Sequence, residues 1–230
     1  MNCIAIIPAR GGSKRIPRKN IKYFLGKPII VYSLEAAIES KVFDEIMVST
    51  DDGEIAETAV KYGASVPFFR SEEMSSDMAM TVPVLLEVLA EYEKRGKVFS
   101  YVCCLYPCAP FITPERLREG LELLKSSGAD SVIPVVRFSY PPQRCFIIRD
   151  GKAAMLQPEN YDVRSQDLEP LYHDAGQYYF IKTSTLREEG KFFCNSTLPV
   201  ILKEQEVQDI DSESDWLEAE IKYRIIKGDH

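Results

Sequence analysis

Short apolar runs alternate along the chain with segments whose apolar residues recur at helical spacing. The run at 3–7 is apolar at every position, as expected of a central strand that is covered on both faces. Further runs of this kind occur at 45–50, 65–69, 101–106, 131–136, 177–181 and 198–202. Helical patterns begin near Pro28, Gly53, Thr81, Pro114 and Ser212. This alternation predicts an α/β fold with a doubly wound, mostly parallel sheet.

One stretch interrupts the alternation. Residues 138–172 are rich in proline, tyrosine and polar residues and show no clean periodicity. We therefore expect one domain that spans residues 1–230, from which this stretch leaves the sheet as a dimerisation arm or a lid.

The composition is that of a globular protein, but its charge is unevenly placed. The 230 residues include 35 acidic and 28 basic side chains, and the net charge of −7 argues against a general nucleic-acid or anionic-membrane binder. Residues 10–27, however, contain seven basic residues and no acidic one, which indicates a local anion site. The six cysteines form no CxxC pair, and neither an export signal nor a membrane-spanning run is apparent. We therefore expect reduced thiols, no zinc site and a cytoplasmic location.

The loop at 9–20 follows the first predicted strand and so lies at the carboxyl edge of the sheet, where open α/β folds bind ligands. Its glycines let backbone N–H groups approach phosphate oxygens, and its basic side chains can neutralise a polyphosphate. The spacing fits neither a Walker A loop nor GxGxxG, which disfavours a dinucleotide cofactor. The alternative is a solvated basic loop. The candidate phosphate-binding residues are Arg10, Gly11, Gly12, Lys14 and Lys19.

Two carboxylates near the end of the chain form a candidate metal site. Asp209 and Asp211 alternate around Ile210, so an extended backbone would place both carboxylates on one side and Ile210 in the core. Magnesium usually takes one or two carboxylates, and phosphates and water complete its shell. The alternative is a solvated acidic loop before the last helix.

The segment at 6–20 reads IIPARGGSKRIPRKN. It resembles the N-terminal signature of the acylneuraminate cytidylyltransferase family. Further matches follow in order along nearly the whole chain, at VSTDD (48–52), at Arg70 and at DID (209–211).

Two later segments favour one branch of that family. RSQDL at 164–168 and YHDAGQYY at 172–179 resemble the enzymes that act on pseudaminic acid. The chain departs from the sialic acid enzymes at 106–110, where it has YPCAP in place of their QPTSP.

The resemblance implies that CTP activates a nine-carbon α-keto sugar acid, with Mg²⁺ as cofactor, in a homodimer whose 138–172 arm reaches the partner's site. It implies nucleotide contacts from Ala9, Arg10, Gly11, Gly12, Ser13, Lys14, Lys19, Asn20, Arg70, Asp77 and Thr81. It implies sugar contacts from Tyr106, Arg164, His173, Asp174 and Gln177, with Arg164 as a bidentate partner for the sugar carboxylate. It also implies metal ligation by Asp209 and Asp211 and catalytic roles for Arg10, Lys19 and Asp211.

Each of these assignments has a plainer alternative. Thr81 could cap a helix, Arg70 could be a surface arginine, and His173 could be a half-buried histidine. At the level of the whole chain, the rivals are the same chemistry on sialic acid or another keto-sugar acid, and a nucleotide-binding regulatory protein without transferase activity.

Overall fold

The computed structural model describes residues 2–76 and 79–228. The strands are β1 (Cys3–Pro8), β2 (Tyr23–Phe24), β3 (Lys27–Pro28), β4 (Glu45–Ser49), β5 (Tyr101–Leu105), β6 (Ser131–Arg137), β7 (Phe146–Arg149), β8 (Lys152–Met155), β9 (Tyr172–Asp174), β10 (Tyr178–Lys182) and β11 (Thr197–Leu202). The helices are α1 (Ile30–Ser40), α2 (Gly53–Lys61), α3 (Glu72–Ser75), α4 (Thr81–Lys94), α5 (Pro114–Ser127), α6 (Thr183–Glu189) and α7 (Glu213–Lys227). Short 3₁₀ turns occur at Lys19–Ile21, Pro142–Arg144, Pro158–Asn160, Ser165–Asp167 and Glu204–Glu206.

A central sheet organises the chain in the order β11-β6-β10-β5-β1-β4. β1 pairs in parallel with β4 and β5, and β6 pairs in parallel with β11. β10 runs antiparallel between β5 and β6, and β9 is also antiparallel to β6. The predicted mostly parallel α/β sheet is therefore confirmed, and β9 and β10 are its antiparallel strands.

The strand β1 is covered on both faces, which explains its unbroken apolar sequence. Cys3 and Ile7 belong to a core cluster with residues of α1, α2 and α5, whereas Ile4 and Ile6 belong to a second cluster with residues of α4 and α6. Because successive strand residues point to opposite faces, helices on both sides are needed to bury this run.

A third buried cluster joins distant parts of the chain. Phe24, on β2, packs edge-on against Trp216 of α7 with ring centroids 5.5 Å apart. Ile16, from the basic loop, and Ile210, beside the two aspartates, are buried in the same cluster. This packing brings the two predicted site segments together.

The chain that runs antiparallel to β6, from β9 into β10, contains a bulge. Phe180 opposes Val132 and Asp174 opposes Val135, so six residue steps on one strand span three on the other. The surplus residues lie at 175–177, where Gly176 has φ +63°. The chain therefore leaves β5 at this point and continues beside β6 alone.

Two sequence predictions of element position were wrong. The run at 65–69 is not a strand, because Ser65 makes only an isolated bridge to Met47 and Pro67 lacks the amide hydrogen that a ladder requires. The first helix begins at Ile30 and not at Pro28, which instead pairs with Tyr23 in the β2–β3 hairpin. Two other details were right: Thr113 caps α5, and Ser212 forms a capping box with Asp215.

The 138–172 stretch does leave the central sheet. It contains the β7–β8 hairpin and three of the 3₁₀ turns, and several of its large apolar side chains are exposed. Examples are Tyr140 at 88%, Phe146 at 60% and Ile148 at 69% exposure. A dimerisation role for this arm stays a prediction. Within residues 2–76 and 79–228, no helix is both long and apolar enough to cross a membrane.

We expect Gly120→Ala to destabilise the fold. An added Cβ would lie 2.9 Å from Phe180 Cδ2 and 3.2 Å from Tyr178 Cε2, in the packed interface between α5 and β10. Overpacking of this kind costs about 1–3 kcal/mol, although alanine normally gains about 0.5–1 kcal/mol over glycine in a helix. Urea unfolding measures the difference. The control is Gly53→Ala at the start of α2, where nothing lies within 4 Å of the new Cβ. A Gly120→Ala protein as stable as the parent would contradict this packing.

Candidate active site

The basic loop is fastened at its start to the end of β4. The Ala9 N–H donates to the Ser49 carbonyl over 2.9 Å, and the Gly11 N–H donates to Asp51 Oδ1 over 3.0 Å. A Cβ on Gly11 would lie 2.7 Å from Asp52 Oδ2, whereas Gly12 has open space around it. The close approach of loop and acid therefore requires glycine at position 11 only.

The far side of the loop is tied to α2 through Asp52. This carboxylate caps α2 by accepting from the Ile55 N–H over 3.0 Å, and it also receives both terminal nitrogens of Arg18. Arg18, with φ 56°, also contacts Glu54 over 2.5 Å. The hydrogen bond from Arg18 is the main reason that the pKa of Asp52 is lowered, and burial works against it.

Asn20 supports the loop from behind. It is buried, its Nδ2 donates to the Arg10 carbonyl over 2.9 Å, and its Oδ1 accepts from Cys108 Sγ over 3.1 Å. The predicted nucleotide contact Asn20 thus has a second role in the structure, since it positions the backbone of Arg10.

A cavity of about 660 Å³ opens between this loop and residues 209–211, which belong to the connector before α7; we call it the basic cavity. Four cations line it: Arg10, Lys14, Arg15 and Lys19. Ser13, Asn20, Tyr106, Asp209 and Asp211 line it too. The fold therefore brings five of the predicted nucleotide residues, Arg10, Ser13, Lys14, Lys19 and Asn20, to one place beside both aspartates. Arg10 also donates to the Ser76 carbonyl over 3.4 Å.

The two aspartates stand at the border of the basic cavity. Asp211 forms ion pairs with Arg15 over 2.8 Å and with Lys19 over 3.7 Å, and Lys19 Nζ donates to the Ile210 carbonyl over 2.7 Å. Ile210 is buried at 2% exposure while both carboxylates line the cavity. Within the described part of the chain, the Asp209 carboxylate has no hydrogen bond or ion pair. A free carboxylate beside a second one fits a magnesium ion that takes its other ligands from phosphate and water. No group of three or more metal-ligating side chains occurs among the described residues.

A second cavity, of about 750 Å³, lies on the other side of these carboxylates; we call it the acidic cavity. Gly176, Asp209 and Asp211 line both cavities, and His173 and Asp174 line the acidic one. The bulge at 175–177 therefore lies at the boundary between two adjoining chambers. One chamber is rich in cations and the other in carboxylates.

The side chains of Asp174 and His173 are fixed by different contacts. Asp174 Oδ2 accepts from the Tyr179 hydroxyl over 2.5 Å and Oδ1 accepts from the Gly176 N–H over 2.9 Å. The His173 ring packs against Phe138 with centroids 4.7 Å apart. Its Nδ1 lies 2.9 Å from the backbone carbonyl of Asp174, and the two side chains do not form an acid–base pair.

Arg70 and Thr81 do not fit their plainer alternatives. Arg70 is buried, with Nε bonded to Ser49 Oγ over 3.0 Å, and this burial lowers the pKa of its guanidinium. Met80, not Thr81, is the N-cap of α4, and Thr81 Oγ1 lies 3.4 Å from the Tyr106 hydroxyl. Burial raises the pKa of Tyr106 to about 12, so this phenol is neutral at physiological pH.

Seven predicted site residues within the described part of the chain line neither cavity: Ala9, Gly11, Gly12, Arg70, Thr81, Arg164 and Gln177. Gln177 is buried and its Nε2 donates to the Glu206 carbonyl over 2.5 Å, which holds the segment that leads to the aspartates. Arg164 is 71% exposed and pairs with Asp167 over 2.6 Å. Asp77 lies outside the described residues.

Sequence reasoning did not single out Arg15, Cys108 or Tyr179, all of which line the basic cavity. Arg15 could have been found, because it belongs to the basic segment that marked the loop. Cys108 and Tyr179 gave no signal: each lies in or beside an apolar run, where a buried structural role is the ordinary interpretation.

Comparison with known proteins agrees with this arrangement. Residues 4–220 match the family described as Cytidylyltransferase. The chain belongs to the cytidylyltransferase family. It is therefore an enzyme of that class, as the loop motif predicted.

Individual relatives cover nearly the full length. The chain is 40% identical, over 98% of its length and 97% of the relative's, to pseudaminic acid cytidylyltransferase of Campylobacter jejuni subsp. jejuni. It is 37% identical, over 94% of each chain, to CMP-N,N'-diacetyllegionaminic acid synthase of Legionella pneumophila. Among solved structures, CMP:2-keto-3-deoxy-manno-octonic acid synthetase complexed with CTP superposes with a TM-score of 0.72 at 16% identity, covering 99% of this chain and 100% of that one. At this identity the superposition shows the shared fold.

We expect Asp52→Asn to remove an acid-sensitive part of the stability. Because the folded pKa of Asp52 is lowered, its ionised form stabilises the fold above the unfolded pKa of about 3.9, and this contribution is lost as the pH falls toward the folded value. The stability gap between parent and variant should therefore be widest near neutral pH and narrow below about pH 4.

Urea unfolding between pH 3 and 7 tests this expectation. The control is Asp162→Asn, which removes an exposed carboxylate that has no hydrogen bond or ion pair within residues 2–76 and 79–228. A gap that stays constant with pH would show that the Arg18–Asp52 pair does not stabilise the loop.

Proposed function

We propose that the protein transfers CMP from CTP to the anomeric hydroxyl of pseudaminic acid, a nine-carbon α-keto sugar acid, and releases pyrophosphate. The observation that carries this proposal is the meeting of the basic and acidic cavities at Asp209 and Asp211. The choice of acid is supported by the full-length similarity to the Campylobacter jejuni enzyme, which is named for pseudaminic acid.

The basic cavity suits a triphosphate. Arg10, Lys14, Arg15 and Lys19 line one chamber, so cations can contact the phosphates and offset the charge that grows on departing pyrophosphate. Arg15 and Lys19 form ion pairs with Asp211, so two of the cations proposed to bind phosphate lie beside the candidate acid–base residue.

The acidic cavity suits the attacking sugar. A hydroxyl that enters from this side meets Asp211 at the border, and we assign to Asp211 the acceptance of the hydroxyl proton as the oxygen attacks the α-phosphorus. Asp209 and Asp211 would also hold Mg²⁺, which when bound offsets phosphate charge and orients the α-phosphate. Holding the two substrates in adjoining chambers replaces a chance encounter with a positioned one.

We further propose a homodimer and a cytoplasmic location. The exposed apolar side chains of the 138–172 arm, such as Tyr140 and Ile148, support burial against a second copy. All six cysteines are free thiols, which suits a reducing compartment.

We expect Asp211→Asn to lower the rate of CTP-dependent pyrophosphate release at least about a hundredfold, because proton acceptance and metal binding both require the carboxylate. The assay supplies CTP, Mg²⁺ and, in parallel, pseudaminic acid, N-acetylneuraminic acid, legionaminic acid and an eight-carbon keto-acid. Pseudaminic acid should give the highest kcat/KM.

The matched control is Glu218→Gln, which removes an exposed carboxylate on α7. Circular dichroism should show both variants folded. Near-normal turnover in Asp211→Asn would refute the assigned role, and absence of turnover with every acid in the parent protein would refute the proposed reaction.

We expect Arg10→Ala to raise the KM for CTP at least tenfold, in line with the loss of a charge-assisted hydrogen bond to phosphate, worth roughly 1.5–3 kcal/mol. Arg18→Ala is the comparison, because Arg18 belongs to the same loop but contacts Asp52 and Glu54 and is not among the residues lining the basic cavity. Arg18→Ala should lower thermal stability more than it alters the KM. Equal KM values for Arg10→Ala and the parent would mean that the loop does not bind the triphosphate.

A further inference from the structure

Arg137 is a cation without an assigned role. It ends β6, its side chain is exposed, and it lines the acidic cavity together with Asp209 and Asp211. Within residues 2–76 and 79–228 its guanidinium makes no hydrogen bond or ion pair. An unengaged arginine is therefore already present at the wall of the chamber that we assign to the sugar.

Arg137 differs from most other charged residues of this cavity, which are carboxylates. Among the described residues, five carboxylates line it, those of Asp174, Glu204, Asp209, Asp211 and Asp215. Asp174 and Glu204 accept from the neutral hydroxyls of Tyr179 and Ser139, which leaves their charge in place. A negatively charged ligand that enters this chamber would be repelled unless a cation receives it.

Lys222, the lysine of the same cavity, is already engaged. Its Nζ donates to the Val207 carbonyl over 2.8 Å, to Gln208 Oε1 over 3.0 Å and to the Glu204 carbonyl over 3.4 Å. These contacts hold the connector before α7 and use the three donors of the ammonium group. Of the described lysine and arginine side chains that line this cavity, Arg137 alone has its donors available.

We propose that Arg137 binds the carboxylate of the keto-sugar acid and thereby sets the enzyme's preference for an acid over a neutral sugar; this inference rests on the proposed function. A guanidinium matches a carboxylate in a planar, bidentate geometry. In an α-keto acid the carboxyl carbon is bonded to the anomeric carbon, so the group that holds the carboxylate also places the attacking hydroxyl. Arg137 is thus a substrate-binding residue on the same chain as Asp209 and Asp211.

This assignment differs from the one that the sequence suggested. Arg164 was the expected carboxylate partner, but in this chain it pairs with Asp167 and lines neither cavity. Arg164 Nε lies 2.6 Å from Asp167 Oδ2 in an exposed ion pair, and neither residue lines the acidic cavity.

The test compares steady-state kinetics of Arg137→Gln with those of the parent protein. We expect the KM for pseudaminic acid to rise roughly tenfold or more, the scale of one lost charge-assisted interaction. The KM for CTP should stay within about twofold, since Arg137 is not among the residues lining the basic cavity. Arg137→Lys should recover part of the loss, because it restores the charge without the planar fork. Arg149→Gln, on the exposed β7 strand, is the matched control and should leave both constants unchanged.

A second measurement separates carboxylate recognition from a general effect on the cavity. The parent protein should discriminate strongly between the sugar acid and its C1 amide, and Arg137→Gln should lose most of that discrimination. An unchanged KM for the acid, or an equal rise for acid and amide, would overturn the inference. A rise in the KM for the sugar acid that occurs in Arg164→Gln but not in Arg137→Gln would also overturn it. If the parent protein releases no pyrophosphate with any acid, the proposed function itself fails, and this inference falls with it.

Discussion

The burial of Ile16, Phe24, Ile210 and Trp216 in one cluster is the constraint on which the rest of the site depends. These residues come from opposite ends of the chain, and no local hydrogen-bonding pattern would bring them together. Once they are packed, Lys19 Nζ can reach the Ile210 carbonyl 191 residues away. The hydrophobic gain from burying two large aromatic rings offsets the repulsion among neighbouring like charges on the loop and on the connector.

The cluster also explains why opposite charges face each other at the site. The basic loop is held by acids on two sides, with Arg18 on Asp52 at α2 and Arg15 on Asp211 before α7. These pairs partly neutralise the loop while no substrate is bound. Arg15 and Asp211 are both substantially exposed, at 71% and 42%, so their pair contributes little to stability and is readily exchanged for a phosphate or a metal ion.

The antiparallel insertion shapes the site in a different way. A purely parallel sheet would continue past β5 without interruption, whereas here β10 enters between β5 and β6 and bulges at 175–177. Tyr106 and Tyr179 then pack edge to face with ring centroids 5.6 Å apart, and Asp174 is carried to the other side of the bulge. The division into a basic and an acidic chamber follows from this local departure from regular pairing.

Local sequence patterns were sufficient to predict the fold class, the position of the basic loop and the alternation of Asp209 and Asp211 around a buried Ile210. Apolar periodicity is a local property, so β1 and α5 could be predicted directly from it, whereas the enzyme class was indicated by the resemblance of the loop motif and of later segments to a known family. The prediction of a strand at 65–69 was wrong. Its apolar composition favoured a strand, but Pro67 and the missing ladder partner prevent regular pairing.

Which side chains share a chamber became clear only from the three-dimensional packing. It placed Arg15 against Asp211, tied Gln177 to Glu206 and left Arg137 unengaged beside the carboxylates. The physical reason is that contacts between residues far apart in the chain depend on sheet order, on the bulge at Gly176 and on aromatic packing, and none of these leaves a periodic signal in the sequence.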